Sequence, residues 1–397
     1  MPKYLLGTDN GCTMSKAALF TPDGREMAVA SQKTETLTPK PGHLERDVPE
    51  MWRSTAAAIR QVIAEAGIDP TDIACVACAG HGNGLYLIDQ AGEPVRNAIM
   101  STDSRARDII DEWTADGVGE RVRPKTAQAI WPAQPNALLL WLKRHEPEAI
   151  ERARWVLMAK DYIRLKLTGE AAAELTDFSG TSLISVVDEA YDDEVLEAFG
   201  IGDLRDLLPP LVRSADICGK VTAQAAAETG LAEGTPVAGG LFDIDASGLG
   251  CGILEPSQLC MIAGTWGNNQ YIAPQPVLSP DVFMSTCYAI PGFYLMLEGS
   301  ATSASNLEWF VTEFFDAERA AAEQRGKSVY ELTNGLVAAS APDSTVLFLP
   351  FLYGSNVSPD AKAAFIGLNG WHTCLLYTSD AADELDGVDL GGRRSIK

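Results

Sequence analysis

The sequence predicts an α/β protein built from two related domains, and three observations lead to this prediction. Apolar strands alternate with amphipathic helices along most of the chain, as in proteins that cover a sheet with helices. A strand, a tight turn of small residues and a second strand occur at the amino terminus and again at residues 258–273. The 397 residues, of which 46% are apolar, suffice for a buried core in each domain.

The first element is an antiparallel meander within the first 31 residues. The run YLLGTDNGCTMSKAALFTPDGREMAVAS predicts a strand, a polar turn, a strand, a PDG turn and a third strand. Consecutive backbone N–H groups in the first turn, DNGCT, can bind phosphate oxygens without a basic surface. The same turn is also typical of an ordinary Asp-Asn-Gly hairpin, and this loop alone does not decide between the two.

A helix is expected to follow the meander. Asp47 and Glu50 have the spacing of a capping box, Pro49 suits a first helical turn, and Gly67 is placed to end the helix.

The segment GTPVAGGLFDIDASGLGCG predicts a crossover from an apolar strand into a Gly-rich helix start. Asp243 follows the strand directly, where its carboxylate can accept the proton of a hydroxyl group during phosphoryl transfer. Asp245 is expected to cap the following helix. We place the domain boundary near Gly248, which gives domains over residues 1–247 and 248–373.

A third group of polar residues suits a sugar. His81 and Gly82 lie in the run GHGNG, Asp103 lies in STDSR, and Trp131 follows further along the chain. Small residues let a polyhydroxylated ligand approach the backbone, while polar and aromatic side chains supply hydrogen bonds and an apolar wall. Each of these residues taken singly is also typical of a structural role.

Charge and composition exclude other classes of partner. With 31 basic and 54 acidic side chains, the formal charge of −23 repels nucleic acid and anionic lipid. No run approaches the roughly 20 apolar residues of a membrane span, and the start lacks the pattern of a secretory signal. The sequence therefore predicts a cytoplasmic protein that binds neither nucleic acid nor membrane.

In their order along the chain, these segments resemble the FGGY family of carbohydrate kinases, and more closely its L-xylulose kinase-like members. The resemblance spans Met1 to about Thr373. It is carried by the segments GTDNGCTMSKAALF, PGHLERD, GHGNGLYLID, AIMSTDSRA, IWPAQPNALLLWLKRHEP, GTPVAGGLFDID, IAGTWG, SATSASNLEWF and LFLPFLYGSN.

The resemblance implies an actin-like ATPase (ribonuclease H-like) fold, with two related domains facing a cleft. It implies transfer of the γ-phosphate of ATP to a terminal hydroxyl of a small sugar such as L-xylulose, with Mg²⁺, and with Asp243 as the catalytic base. It places phosphate and magnesium contacts at Asp9 (to the metal through water), Gly11, Thr13, Lys16, Gly264 and Thr265, and sugar contacts at His81, Gly82, Asp103 and Trp131. Many family members have Thr at the position of Cys12, whereas the Trp266 position of the L-xylulose kinases also holds Trp.

The resemblance ends near Thr373. Family members continue there through a helix and a Gly-Gly loop that contacts adenosine, whereas residues 374–397 begin like the translation of a sequencing adapter. We therefore expect a non-native tail, an incomplete second domain and a fragment that is itself inactive.

Several alternatives stay open. Within the kinases, the substrate can instead be D-xylulose or a polyol such as erythritol or glycerol, because stereochemistry is selected by hydrogen bonds whose geometry a sequence does not give. From other classes, an actin-like or chaperone-like ATPase shares the phosphate loops, and a non-catalytic sugar sensor can retain the same residues. A homodimer also stays open, since no segment marks an interface.

Overall fold

The computed structural model describes residues 3–263, 267–300, 303–339, 346–352 and 361–369. These residues divide into two compact units: the first holds the described residues of 1–258 and 271–296, and the second those of 259–270 and 297–397.

The strands of the described residues, in chain order, are β1 Tyr4–Asn10, β2 Met14–Phe20, β3 Glu26–Lys33, β4 Leu37–Lys40, β5 His43–Arg46, β6 Ile73–Gly80, β7 Tyr86–Ile88, β8 Ala98–Ile99, β9 Trp155–Leu157, β10 Ala173–Glu174, β11 Ile184–Ser185, β12 Ala190–Tyr191, β13 Leu211–Val212, β14 Ile217–Lys220, β15 Pro236–Ala238, β16 Leu241–Phe242, β17 Leu259–Ala263, β18 Gly267–Ala273, β19 Met284–Cys287, β20 Tyr294–Ser300, β21 Leu347–Leu349 and β22 Ala364–Ile366. The α-helices are α1 Val48–Ala66, α2 Arg107–Ala115, α3 Val118–Thr126, α4 Pro135–His145, α5 Pro147–Arg152, α6 Ala159–Thr168, α7 Leu175–Phe178, α8 Asp193–Ala198, α9 Ala223–Thr229, α10 Asp243–Gly250, α11 Ala304–Phe314, α12 Asp316–Gln324 and α13 Val329–Ala339.

The main sheet of the first unit is mixed, with the strand order β14-β15-β6-β1-β2-β3 and with β16 also paired to β6. β1, β2 and β3 form the predicted antiparallel meander, so that prediction is confirmed. β1, β15 and β16 each run parallel to β6. The carboxyl ends of β1, β6 and β16 therefore lie at one edge of the sheet.

Helix α1 begins and ends as predicted. The Asp47 side chain accepts a hydrogen bond from the Glu50 backbone N–H, and Gly67 ends the helix in the left-handed conformation with φ 61°. One face of α1, including Met51 and Ile59, is fully buried in the core that it shares with the main sheet.

A second core of the first unit lies among helices α2, α3, α4 and α8, around Trp113 and Phe199, whose rings are 4.7 Å apart. Beside it, β4, β5 and β8 form a small antiparallel sheet in which Arg46 is paired with Ala98.

The second unit contains β17 and helices α11–α13, with an aromatic cluster around Phe310, Phe315 and Phe365. The two predicted strands flanking the second loop are present as β17 and β18. The predicted phosphate contacts Gly264 and Thr265 lie outside the described residues. Helix α10 runs across the boundary predicted near Gly248, and the first unit continues to residue 258.

Candidate active site

Three of the predicted segments meet at the carboxyl edge of the main sheet: the first phosphate loop, the GHGNG segment and the segment of Asp243. Asn10 at the end of β1 and Phe242 at the end of β16 are both paired with Gly80 at the end of β6. At these three strand ends the polypeptide continues into the first phosphate loop, the GHGNG segment and the segment of Asp243. The backbone N–H of His81 donates to the carbonyl of Asn10 at 3.0 Å, which ties two of them together. In open α/β sheets, ligands bind where parallel strands end, so this edge is the candidate site.

The first loop is a closed turn between β1 and β2. The Gly11 N–H donates to the carbonyl of Met14 at 3.0 Å, and Thr13 lies exposed at the tip. Lys16 Nζ lies 3.5 Å from Asp9 Oδ2, and both side chains are partly exposed. Asp9 Oδ1 is buried and has no hydrogen-bond partner within the described part of the chain. The structure thus brings Asp9, Gly11, Thr13 and Lys16 into one hairpin, with Asp9 and Lys16 paired across its two strands.

Asp243 is the first residue of helix α10. Burial, and after it the nearby carboxylate of Asp9, raises the pKa of Asp243 to about 7. A carboxyl group with that pKa is poised to accept a proton near neutral pH.

The structure corrects the prediction that Asp245 caps a helix. The cap position lies three residues earlier, at Phe242, because the chain turns directly out of β16 into helix α10. Phe242 forms no side-chain hydrogen bond there. Asp245 lies inside the first turn and is fully buried. Burial, with Glu174 and Asp177 adding to it, raises the pKa of Asp245 well above its usual value, which favours the protonated form.

Gly82 packs directly against the segment of Asp243. A Cβ atom at this position would lie 2.5 Å from Phe242 Cε2 and 2.8 Å from Asp177 Oδ1. Only glycine fits without displacing the aromatic ring that precedes Asp243.

Gly82→Ala is therefore expected to lower the unfolding free energy by about 1–3 kcal/mol, as overpacking does, and to lower turnover by displacing Phe242. Gly7→Ala is the matched control, because a Cβ at Gly7 in β1 meets no atom within 4 Å. Urea unfolding and steady-state rates measure both variants. Equal effects of the two substitutions would contradict the close packing at Gly82.

The His81 ring is buried and both of its nitrogens have partners. Nδ1 lies 3.3 Å from the carbonyl oxygen of Gly82, and Nε2 lies 3.0 Å from the Tyr86 hydroxyl. Because a carbonyl only accepts, Nδ1 carries the proton and Nε2 accepts from Tyr86. Burial, and after it the charge of Arg46, lowers the pKa of His81 to about 4, so the ring is neutral at physiological pH.

Both carboxylate oxygens of Asp103 accept hydrogen bonds from other residues of the chain. Oδ1 accepts from the Arg105 backbone N–H at 2.8 Å and from Arg105 Nε at 3.0 Å. Oδ2 accepts from the Leu44 backbone N–H at 2.7 Å and from Arg105 Nη2 at 3.0 Å. A sugar hydroxyl reaches this carboxylate only by exchanging one of these bonds.

Trp131 carries a buried hydrogen-bond donor without a partner among the described residues. Its ring is partly buried against Phe283, with ring centres 4.6 Å apart. Its Nε1 is buried and has no acceptor among the described residues.

Arg46 belongs to the site although the sequence prediction did not include it. The side chain is fully buried, and its guanidinium donates to the carbonyls of Gly11 and Cys12 in the first loop. Side chains two residues apart in a strand lie on the same face, so Arg46 shares a face of β5 with the partly buried Leu44. This alternation is the sequence signal that could have identified Arg46.

Comparison with known proteins decides the family. Residues 4–250 match the N-terminal domain of the FGGY family of carbohydrate kinases. Over 375 residues the chain is 37% identical to a probable L-xylulose kinase of Pasteurella multocida (strain Pm70), covering 93% of this chain and 74% of that protein. The chain belongs to the FGGY family of carbohydrate kinases.

This FGGY kinase is also 36% identical over 376 residues to the L-xylulose/3-keto-L-gulonate kinase of Escherichia coli (strain K12), covering 94% of this chain and 73% of that protein. The crystal structure of a xylulose kinase from Rhodospirillum rubrum superposes with a TM-score of 0.87 at 26% identity, covering 99% of this chain and 78% of that chain. The predicted actin-like ATPase fold and the predicted sugar kinase are both confirmed. Among the described residues, no helix is both long and apolar enough to cross a membrane.

Behind the site, the FGGY kinase buries a lysine among carboxylates. Lys160 Nζ lies 2.9 Å from Asp161 Oδ1, 3.3 Å from Asp177 Oδ2 and 3.4 Å from Glu174 Oε2, and all four side chains are fully buried. Burial lowers the pKa of Lys160, but the three carboxylates outweigh it and hold the pKa above its usual value. We name Lys160, Asp161, Glu174 and Asp177 the lysine cluster.

A neighbour of the lysine cluster holds the segment of Asp243 in place. Thr176, beside Asp177 in α7, accepts a hydrogen bond at its Oγ1 from the Phe242 backbone N–H at 3.0 Å. Burial raises the pKa of Asp177 well above its usual value, although the Lys160 charge acts in the opposite direction. Sequence reasoning missed this cluster because its members come from α6, β10 and α7, and no spacing motif connects them.

Proposed function

We propose that this kinase transfers the γ-phosphoryl group of ATP to a terminal hydroxyl of a ketopentose such as L-xylulose. The observation that carries the proposal is Asp243, a carboxyl group with its pKa raised to about 7, which lies at the strand ends beside the Asp9 loop. The named activities of the two relatives support L-xylulose as the sugar to test first.

In the proposed reaction, Asp243 accepts the proton of the sugar hydroxyl while the hydroxyl oxygen forms a bond to the γ-phosphorus of ATP. The bond between that phosphorus and the β,γ-bridging oxygen breaks, and ADP leaves. The protonated Asp243 then returns its proton to solvent. A raised pKa favours this role because a base near pH 7 is both ionised and basic enough to take the proton.

The first loop fits a metal-bound polyphosphate. The buried and unpaired Oδ1 of Asp9 is a hard oxygen donor of the kind that Mg²⁺ prefers, directly or through water. Mg²⁺ held there would neutralise charge on the transferred group. Lys16 and the amides of Gly11 to Thr13 would bind phosphate oxygens, and we propose the same role for Gly264 and Thr265.

On the sugar side, we propose direct contact at the backbone of Gly82 and at Nε1 of Trp131, which has no acceptor among the described residues. His81 and Asp103 stay proposed contacts. Their internal hydrogen bonds favour roles in holding the wall of the pocket, since each would have to exchange a partner to bind a hydroxyl.

We also propose that residues 1–247 carry the sugar site and the first phosphate loop, that residues 248–373 carry the second loop, and that the reaction takes place in the cytoplasm. D-xylulose and polyols such as erythritol or glycerol remain the competing substrates.

The value of kcat/KM for the sugar is expected to rise with pH through about 7 and then to level off. Only the carboxylate form of Asp243 accepts a proton, and that form is lost as the pH falls below its raised pKa of about 7. Because Asp9 contributes to the raised pKa, Asp9→Asn should move the midpoint to lower pH. Initial rates at saturating ATP from about pH 5.5 to about pH 9 measure this. A flat wild-type profile would contradict the assignment.

The function is tested by ATP consumption against a panel of ketopentoses, ketohexoses and polyols. The assay uses the 397-residue chain and the reading frame extended past Thr373, because the sequence predicts a non-native tail from Cys374. Consumption that depends on one sugar supports the proposal and names the substrate. Consumption that no sugar changes favours the actin-like ATPase alternative.

A further inference from the structure

Arg46 is a buried cation that lacks an acidic partner among the described residues. Its side chain is completely buried, and its Nε has no hydrogen-bond partner in the part of the chain that the structure describes. Its remaining contacts are neutral: the carbonyls of Gly11 and Cys12, the Thr34 hydroxyl at 3.1 Å and the Met51 sulfur at 3.7 Å. Burying a charge without a counter-charge is costly, so a role for that charge is expected.

The direction of the loop amides follows from these bonds. In a planar trans peptide group, the C=O and the N–H point in opposite directions. The carbonyls of Gly11 and Cys12 point at Arg46, so the N–H groups that share their peptide planes, those of Cys12 and Thr13, point away from it. Neither N–H donates to a backbone or side-chain acceptor among the described residues.

The loop is held in this orientation from both sides. The Gly11 N–H donates to Met14, and the Thr34 N–H donates to the carbonyl of Thr13, both at 3.0 Å. Two adjacent outward N–H groups form a concave site for an oxyanion. The acidic neighbours Asp9 and Asp243 disfavour an anion there, and the buried charge of Arg46 behind the loop opposes their effect.

We propose that Arg46 is a positioning residue that turns the Cys12 and Thr13 amides toward a polyphosphate. Its positive charge also offsets the negative charge of Asp9 and Asp243 beside the loop. The inference rests on the proposed function and deepens it, because it assigns the orientation of the first phosphate loop to one buried side chain. Arg46 itself does not touch the phosphate. A purely structural Arg46 would affect folding alone and leave polyphosphate affinity unchanged in molecules that fold.

The test is calorimetric titration of inorganic tripolyphosphate, with Mg²⁺ and without sugar, into the wild-type 397-residue chain and three variants. Arg46→Gln should weaken binding by about tenfold, since both the charge and the forked donor are lost. Arg46→Lys should weaken it less, because the charge stays. Arg123→Gln is the matched control: Arg123 also donates to two loop carbonyls, of Ser279 and Val282, but contacts none of the candidate site residues.

A second measurement on the wild type covers the case in which Arg46→Gln does not fold. Hydrogen exchange at the Cys12 and Thr13 amides should slow when tripolyphosphate is added. Arg46→Gln binding as tightly as wild type, or unchanged exchange at both amides while wild type binds, would overturn the inference and leave the proposed function standing. A wild-type chain that binds no tripolyphosphate would instead overturn the proposed phosphate site together with the inference.

Discussion

Asp243→Asn is expected to lower kcat by about a hundredfold to ten-thousandfold and to leave the affinity for the sugar nearly unchanged. The amide keeps the size of the carboxylate and can still donate and accept hydrogen bonds, but it cannot take a proton. The loss therefore falls on the transition state, in which the hydroxyl proton moves. Steady-state rates give kcat, and equilibrium titration of the sugar gives the affinity.

Asp245→Asn is the matched control for this substitution. Asp245 lies two residues further along the same helix, is fully buried, and has its pKa raised well above its usual value. Because burial favours its protonated form, which an amide resembles in shape and charge, turnover of Asp245→Asn should stay within a few-fold of wild type. If Asp243→Asn weakened sugar binding and lowered turnover only in proportion to the lost affinity, Asp243 would be a binding residue instead of a base.

Lys160→Met is expected to lower the unfolding free energy by about 3–5 kcal/mol, the range found when one partner of a buried ion pair is removed. Methionine fills similar space but removes the cation beside Glu174 and Asp177, while Asp161 keeps the buried Arg164 at 2.9 Å. The loss should shrink as the pH falls, because protonated carboxyl groups no longer require a counter-charge. Urea unfolding at several pH values measures it.

Lys166→Met in the same helix is the control. Lys166 Nζ lies 3.1 Å from Glu93, whose side chain is 57% exposed, and such surface pairs contribute about 0–1 kcal/mol. Adding Asp177→Asn to Lys160→Met should restore part of the lost stability, since one uncompensated carboxylate is removed. Equal losses in the two lysine variants would show that the lysine cluster does not need its cation.

The local parts of the fold followed directly from the sequence. The meander and the caps of α1 depend on neighbouring residues, such as Asp47 with Glu50 and the turn at Gly67, so spacing alone predicts them. The position of Asp243 directly after an apolar strand was predictable for a similar reason, because the end of that strand is visible in the sequence. The start of α10 was not visible, and Asp245 was therefore mistaken for a cap when it is a buried residue of the first turn.

The long-range parts of the site could not be predicted in this way. Arg46 meets the first loop across 35 positions of sequence, and the lysine cluster joins α6 to α7 through charges that no motif connects. Likewise, one of the four hydrogen bonds to the Asp103 carboxylate comes from Leu44, 59 positions away, whereas the other three come from Arg105 nearby in sequence. The identity of the bound sugar depends on the geometry of its hydroxyl groups, and neither the sequence pattern nor the fold determines it.

The most direct test of the central claim is transfer of a radioactive label from γ-labelled ATP to L-xylulose, measured in the 397-residue chain and in the extended reading frame. We expect the extended protein to transfer the label to a sugar phosphate in amounts equal to the ADP formed, and Asp243→Asn to abolish most of this transfer. The 397-residue chain is expected to transfer little label. Label released only as inorganic phosphate, at a rate that no sugar changes, would contradict the proposed kinase activity.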